Sequence, residues 1–294
     1  MNTCIACGSS RFEILVNSQD FCVTQEAFDV SRCASCGFAY TVDAPSQDQI
    51  GRYYAHEDYV SHTDTNEGLF FRLYHKVREY MLGRKKAYIE NHAKVKRVFD
   101  IGAGTGYFVN HLRSRGIHAV GFEPDENARQ QAKKNFDLDL LNNIDVAIQE
   151  ADSFDAITLW HVLEHVHDLK GYFKKFNLLL KDEGLLVIAV PNYTSFDAQF
   201  YRKYWAAYDL PKHLWHFSPN SIQLLAKCES FHLIKTYAMP FDPFYIALLS
   251  EGHKQSGKLG KLRGIFVGAI SFLKGWIKPS VASSVVYVFK KDMA

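Results

Sequence analysis

The stretch VFDIGAGTGYF, residues 98–108, decides how the rest of the chain is read. An apolar run ends at Asp100 and Ile101, then Gly102, Gly104 and Gly106 fall within five positions, and the following YFVNHLRSRG has a helical pattern. Strand, tight turn and helix, in that order, bring backbone amides against a ligand at the carboxyl end of the first strand of an open α/β sheet. Glycine suits such a turn because it reaches left-handed backbone angles and keeps a Cβ out of the ligand's way. KRVFDI, residues 96–101, reads as a short buried parallel strand. HAVGFEPD, residues 118–125, reads as a second, with Glu123 at the distance where an acid takes ribose hydroxyls.

What the loop lacks narrows the ligand. A G-x-G-x-x-G fingerprint would place its third glycine at 107, which is Tyr107, and no G-K-[ST] follows as in a P-loop. Asp100, just before the turn, would repel a pyrophosphate and welcome an ammonium group. A phosphate-free molecule with a ribose and an amino group meets these demands, and S-adenosylmethionine is one.

The pattern continues through FDAITLWHVLEHV, residues 154–166, and GLLVIAVPN, residues 184–192. On these motifs residues 94–240 resemble the class I S-adenosylmethionine-dependent methyltransferases. HVLEH most resembles the small-molecule enzymes related to the ubiquinone-pathway O-methyltransferases. The resemblance implies an α/β fold: a Rossmann-like sheet with helices on both faces. It implies that Asp100, Gly102, Ala103, Gly104 and Gly106 receive the methionine moiety, that Glu123 holds both ribose hydroxyls and that Pro124 flanks the adenosine. Trp160 and His161, at the end of the fourth strand, complete the cofactor side. For adenine, DLDLLNNIDVAIQEADSFDA offers Asn142 and Asn143 but no Gly-Asp pair.

Methyl transfer is an in-line displacement at a sulfonium carbon, so the protein chiefly positions the acceptor and removes its proton. His161, first past the strand, is the leading candidate for that base, with His213 and His216 second. The bland reading of His161 is a helix cap or a pocket wall. HVLEH also fits the H-x-x-E-H zinc-hydrolase pattern, but here it ends a Rossmann-type strand and no downstream ligand pattern accompanies it. Related enzymes carry Glu at the position of His161 and use the block for a divalent ion, so the exchange weakens the case for a catalytic metal.

The first forty residues carry CIACG and CASCG, two Cys-x-x-Cys pairs each followed by glycine. Cys4, Cys7, Cys33 and Cys36 thus have the spacing of a closed tetrahedral zinc site, with RFEILVN as the first strand of a hairpin between the pairs. Together with DLPKHLWHFS, residues 209–218, they resemble zinc-ribbon methyltransferases common in bacteria. Cys22 and Cys228 are expected to be ordinary buried thiols. Arg11 and Arg32 face Glu13, Asp20, Glu26 and Asp29, so the ribbon is net acidic and a poor phosphate binder.

The expected organisation is a zinc ribbon over 1–45, an aromatic and helical lead-in over 46–93, and the methyltransferase domain over 94–294 with insertions near 193–217 and 241–280. Phe70, Leu73, Tyr74, Val77 and Met81 predict a long helix from Leu69. YYAHEDYVSHT before it is a candidate cofactor cover or a surface linker. The Tyr- and Trp-rich insertion over 193–217 is expected to present an aromatic surface to an acceptor, ahead of a helix capped by Ser218 and Pro219. In the second insertion Leu262, Ile265, Phe266, Ala269, Phe272, Leu273 and Trp276 recur at helical spacing, bordered by Lys258, Lys261, Arg263, Lys274 and Lys278. Packing on the core or a partner subunit is the expectation, with an anionic membrane as the alternative.

Lys plus Arg, 34, nearly balance Asp plus Glu, 32, so the chain as a whole has no electrostatic reason to seek nucleic acid. With no apolar run near the roughly 18 residues of a membrane span and no signal-like start, a cytoplasmic protein is expected. The function expected is O- or C-methylation of a small acceptor: a sugar, a quinone-like phenol or a lipid-linked intermediate. The rivals are an RNA methyltransferase that grips its substrate with the ribbon, and a non-catalytic cofactor-binding scaffold.

Overall fold

The computed structural model describes residues 3–54 and 69–293, apart from the side chains of 69–74 and 148–150. Most of the candidate cover, residues 55–63, lies outside the described residues. The chain divides into two compact units. The first holds the described residues up to 54, His161–Tyr172 and Ala189–Tyr287; the second runs from the helix at Leu69 to Trp160 and adds Phe173–Ile188 and the chain from Val288.

In the second unit β4 (Arg97–Ile101) lies parallel to and between β5 (His118–Phe122) and β6 (Phe154–Trp160). Val98, Phe99, Ile101, Ala119, Ala156, Ile157 and Leu159 are wholly buried, as expected of parallel strands covered on both faces. β7 (Leu180–Pro191), β9 (Phe231–Ala238) and β10 (Ser284–Lys291) extend the sheet in the order β5-β4-β6-β7-β10-β9, and residues of β7 and β10 fall in both units. α1 (Leu69–Glu90) is the predicted long helix, and α2 (Tyr107–Arg113) follows the glycine turn. α3 (Glu126–Phe136) starts at Asp125, whose side chain accepts the Ala128 amide at 2.7 Å, and α4 (Leu169–Leu179) runs directly into β7. The segment that would form a strand after α3 is reduced to one parallel bridge, Phe122 with Leu141.

In the first unit β1 (Phe12–Gln19), β2 (Ala27–Cys33) and β3 (Ala39–Thr41) form the antiparallel hairpin ribbon between and beyond the cysteine pairs. A fourth strand comes from far along the chain: β8 (Trp215–His216) pairs with β3 through Ala39 to His216 and Tyr40 to Trp215. The ribbon and the 193–217 insertion therefore share one sheet. The insertion's aromatic residues do not form an open surface as expected. Tyr193, Tyr201, Trp205 and Tyr208 are buried in a core with Val30 and Ala39 of the ribbon and Ile246, Ala247 and Val267 of the second insertion. Burying so much aromatic area is where the hydrophobic gain lies. α5 (Phe196–Tyr201) anchors this core through buried Asp197, which accepts from Trp205 Nε1 at 2.8 Å and from Ser271 Oγ at 2.6 Å.

α6 (Pro219–Cys228) begins as predicted, with Ser218 and Ser221 capping each other. The second insertion folds as α7 (Asp242–His253) and α8 (Gly257–Ile277). α8 faces inward with small residues: Gly260, Gly264, Gly268, Ser271 and Gly275 are buried. A Cβ on Gly268 would stand 2.9 Å from the Phe244 Cα, so only glycine permits this approach of the two backbones. The large apolar residues consequently point away. Leu262, Ile265, Phe266, Leu273 and Trp276 are exposed, which corrects the expectation that they pack on this chain's own core. Cys22 and Cys228, expected buried, are exposed, because one lies in the turn between β1 and β2 and the other ends α6.

Candidate functional site

In the second unit the glycine turn has the geometry its sequence demanded. Gly102, Gly104 and Gly106 all have positive φ, at 71°, 53° and 80°. The amides of Gly102 and Ala103 both donate to the Phe122 carbonyl, at 2.8 and 2.9 Å, which pins the turn across the ends of β4 and β5. The glycines divide the work. A Cβ on Gly106 would lie 3.0 Å from Ala132 Cβ and Leu138 Cδ1, whereas one on Gly104 would meet nothing within 4 Å.

Two carboxylates flank the turn. Asp100, 1% exposed, accepts from Thr158 Oγ1 at 2.6 Å; burial pushes its pKa up to about 6, against the pull of Thr158 and Lys85. Glu123 accepts the Gly104 amide on one oxygen at 2.7 Å and the Asp125 amide on the other at 3.0 Å. Burial raises its pKa too, with those amides opposing. A carboxylate offers about four lone-pair sites, so each oxygen retains one for a ligand hydroxyl. Trp160, at the end of β6, is sandwiched in the same unit: Lys85 Nζ stands 4.7 Å from its ring centroid and Phe108 packs edge-on at 5.6 Å. Pro124 follows Glu123, and its carbonyl accepts from Arg129. Asn143 is committed to local structure, accepting the Asp145 amide at 2.9 Å.

In the first unit His161 has φ of 58°, uncommon away from glycine, and its N–H donates a hydrogen bond to the Ala189 carbonyl at 3.0 Å. Its Nε2 lies 2.9 Å from Asp242 Oδ2 and its Nδ1 3.4 Å from Glu164 Oε1. Burial works against the charged ring, but the two carboxylates outweigh it and raise its pKa to about 10. Glu164 is wholly buried; burial works to raise its pKa, but the opposing groups, His161 chief among them, hold it below the usual value.

His213 and His216 are buried and neutral. Burial and the neighbouring His165 push His213 well below its ordinary value, and burial alone takes His216 to about 3. The hydrogen bonds assign tautomers. Thr41 gives its one hydroxyl proton to the His213 carbonyl at 2.6 Å, so His216 Nε2, 3.1 Å away, donates to that hydroxyl. His213 Nδ1 donates to the Ala207 carbonyl at 2.9 Å and His165 Nδ1 to the Lys212 carbonyl at 3.0 Å. The His213 ring, neutral, thus keeps a bare Nε2.

One donor atom from each of Glu164, His165 and His213 lies within 4.8 Å of the other two. Carbonyl-fixed imidazoles plus a carboxylate without a well-formed hydrogen bond among the described residues make a donor set fit for a divalent ion. The sequence showed no ligand downstream of HVLEH; the fold supplies His213. HVLEH itself is not helical in the metalloprotease manner, since Leu163–His165 is a single 3-10 turn.

The four ribbon cysteines also fit a metal. Their Sγ atoms lie within 4.8 Å of one another, with Cys4 to Cys36 at 3.6 Å and Cys7 to Cys33 at 3.5 Å. Tetrahedral zinc with bonds of about 2.3 Å spaces its thiolates by about 3.8 Å. Gly8 and Gly37 take φ of 74° and 75°, and the Ser35 and Cys36 amides point at the Cys33 sulfur.

Residues 73–234, which contain the glycine turn, both carboxylates and His161, match the family described as "Methyltransferase domain". The chain belongs to that family. The methyltransferase-domain chain is similar to the human mitochondrial ubiquinone biosynthesis O-methyltransferase, 28% identical over 50% of this chain and 44% of that one. It is similar also to the ubiquinone biosynthesis O-methyltransferase of Idiomarina loihiensis, 29% identical over 42% and 53% of the two chains. It thus spans about half the length of the curated relatives it matches. Its fold is similar to a SAM-dependent methyltransferase from Archaeoglobus fulgidus, with a TM-score of 0.50 at 18% identity over 76% of this chain and all of that one.

No sequence motif marks Thr158, Lys85 or Asp242. Thr158 carries a local signal, a hydroxyl within the buried run AITL that lies in register with Asp100. Asp242 carries none, because only the placement of α7 brings it to His161.

Proposed function

We propose that the protein transfers a methyl group from S-adenosylmethionine to a small organic acceptor. The observation that carries this reading is the pair of buried carboxylates at the ends of adjacent strands, Asp100 and Glu123, around a turn of three left-handed glycines. Asp100 would meet the ammonium end of the cofactor and Glu123 its ribose hydroxyls, with the open face of Gly104 against the methionine chain. Trp160 would wall the sulfonium side. The names of the relatives favour a phenol- or quinone-like acceptor and O-methylation. A structural zinc on Cys4, Cys7, Cys33 and Cys36 belongs to the same reading.

The chemistry asked of the chain is positioning and proton removal. His161 follows Trp160 directly in the chain and is the first candidate for the base. Locked between Asp242 and Glu164 it starts as a cation, and it must release a proton before it can take one from an acceptor hydroxyl. His213, already neutral with a bare Nε2, is the second candidate, whereas His216 is tied to Thr41.

Calorimetry with S-adenosylhomocysteine tests the cofactor half of this reading: no heat of binding on folded protein removes it. Labelled S-adenosylmethionine added with a cell extract tests the rest. Label in a small organic fraction is the expected result, and label in RNA would replace the acceptor class.

A further inference from the structure

We propose that the outer face of α8 is a docking surface for an anionic lipid bilayer. The helix is inverted relative to an ordinary core helix: small residues face the protein and large apolar ones face out. Leu259, Leu262, Phe266, Leu273 and Ile277 are between 58% and 82% exposed. At about 100° per residue these five fall in a stripe only about 60° wide along the whole helix. Trp276, 74% exposed, and Ile265 border it.

Surface apolar residues occur singly on most proteins, but an aligned run of this length marks an interaction site. The identity of the partner follows from charge. Lys258, Lys261, Arg263, Lys274 and Lys278 are all exposed, and residues 257–278 contain no Asp or Glu. By the same angular count Lys258 and Lys261 lie on one side of the stripe and Arg263, Lys274 and Lys278 on the other. Arg263 is engaged with Glu251 of α7 and Lys274 Nζ stands 5.2 Å from the Phe196 ring centroid, so the outward charge comes chiefly from Lys258, Lys261 and Lys278. An apolar stripe between two basic margins matches a bilayer surface, with the side chains entering the acyl boundary and the ammonium groups at the phosphates. Tyr245 and Leu249 of α7 are exposed as well.

The geometry points to lying on the membrane, not crossing it, since no helix among the described residues is long and apolar enough to span one. The glycine packing explains how the stripe stays available. With Gly260, Gly264 and Gly268 against α7, the pair is held by backbone approach and needs none of the large side chains.

Co-sedimentation of the whole protein with phosphatidylcholine vesicles, with and without phosphatidylglycerol, tests the proposal. Retention by the anionic vesicles, weakened by salt, is expected, with little retention by phosphatidylcholine alone. Leu262→Asp with Phe266→Asp should lower the vesicle affinity at least tenfold, and Lys258→Glu with Lys278→Glu should abolish the preference for anionic lipid. Unchanged melting temperature and circular dichroism establish that these surface variants fold. No retention by anionic vesicles overturns the proposal, as does undiminished retention of the variants. A wild-type dimer in light scattering that the apolar pair of substitutions converts to monomer, without vesicle binding by either, assigns the stripe to a second copy instead.

Discussion

Replacing Gly104 and Gly106 separately by alanine distinguishes a ligand-bearing turn from a merely tight one. Both have positive φ, so alanine costs about 1–2 kcal/mol at either position from backbone strain alone. Beyond that they diverge. The new methyl at 106 would stand 3.0 Å from Ala132 and Leu138, well inside van der Waals contact. Overpacking of this kind adds about 1–3 kcal/mol, for a total of about 2–5 kcal/mol. For a chain of this size we predict a fall in melting temperature of about 3–8 °C. The new methyl at 104 meets no protein atom, so G104A should lose only the strain term. It projects, however, into the space assigned to the methionine chain, and a weakening of S-adenosylhomocysteine binding by at least about tenfold, or about 1.4 kcal/mol, is expected. Thermal denaturation and titration calorimetry on both variants read the two effects. G104A protein that binds like the wild type would refute the assignment of this turn to the cofactor, and equal destabilisation of the two would refute the division of labour between them.

Asp100→Asn should stabilise the ligand-free protein while weakening cofactor binding. Because folding raises this carboxyl's pKa from 3.8 to about 6, its favourable contribution is complete below the lower value and lost as pH rises through the higher, so the variant's advantage in melting temperature should appear near pH 8 and vanish near pH 4. His161→Ala should keep cofactor affinity and lower turnover by about 100-fold or more, as for loss of a general base; unchanged turnover excludes it as that base. Its raised pKa also gives a stability signature: the ion pairs with Asp242 and Glu164 contribute fully below pH 6.5 and fade as pH rises through about 10, so the wild type should lose that stability over a range where the variant does not. Metal analysis should find one zinc per chain, and Cys33→Ser or strong chelation should melt the ribbon, seen as loss of β-sheet signal and lower thermal stability; a metal-free protein of unchanged stability counts against the site.

The sequence was most legible where local pattern and fold agree. The run from Arg97 to Ile101, the glycine turn, and FDAITLW became strand, left-handed turn and strand with nearly the predicted limits, because buried parallel strands and tight turns announce themselves through composition over a few residues. The Ser218 cap was legible for the same reason. Long-range placement was not. The pairing of β3 with β8, the meeting of His161 with Asp242, and the recruitment of His213 to Glu164 and His165 depend on segments that carry no mutual mark in the chain. Periodicity also misled in an instructive way over α8. It located the apolar stripe correctly but not its direction, since the glycines read as weak points in a helix proved to be its packing surface.

The partnership of β3 with β8 has a consequence for biosynthesis. The ribbon's sheet is closed by residues that a ribosome adds long after the second cysteine pair, and Thr41 waits for a carbonyl 172 positions downstream. Until then β3 presents an open backbone edge, the kind of surface that recruits wrong partners in an unfinished chain. Early capture of zinc would hold the nascent hairpin in register through that interval, so metal starvation should show first as aggregation of newly made protein rather than as inactivation of molecules already folded.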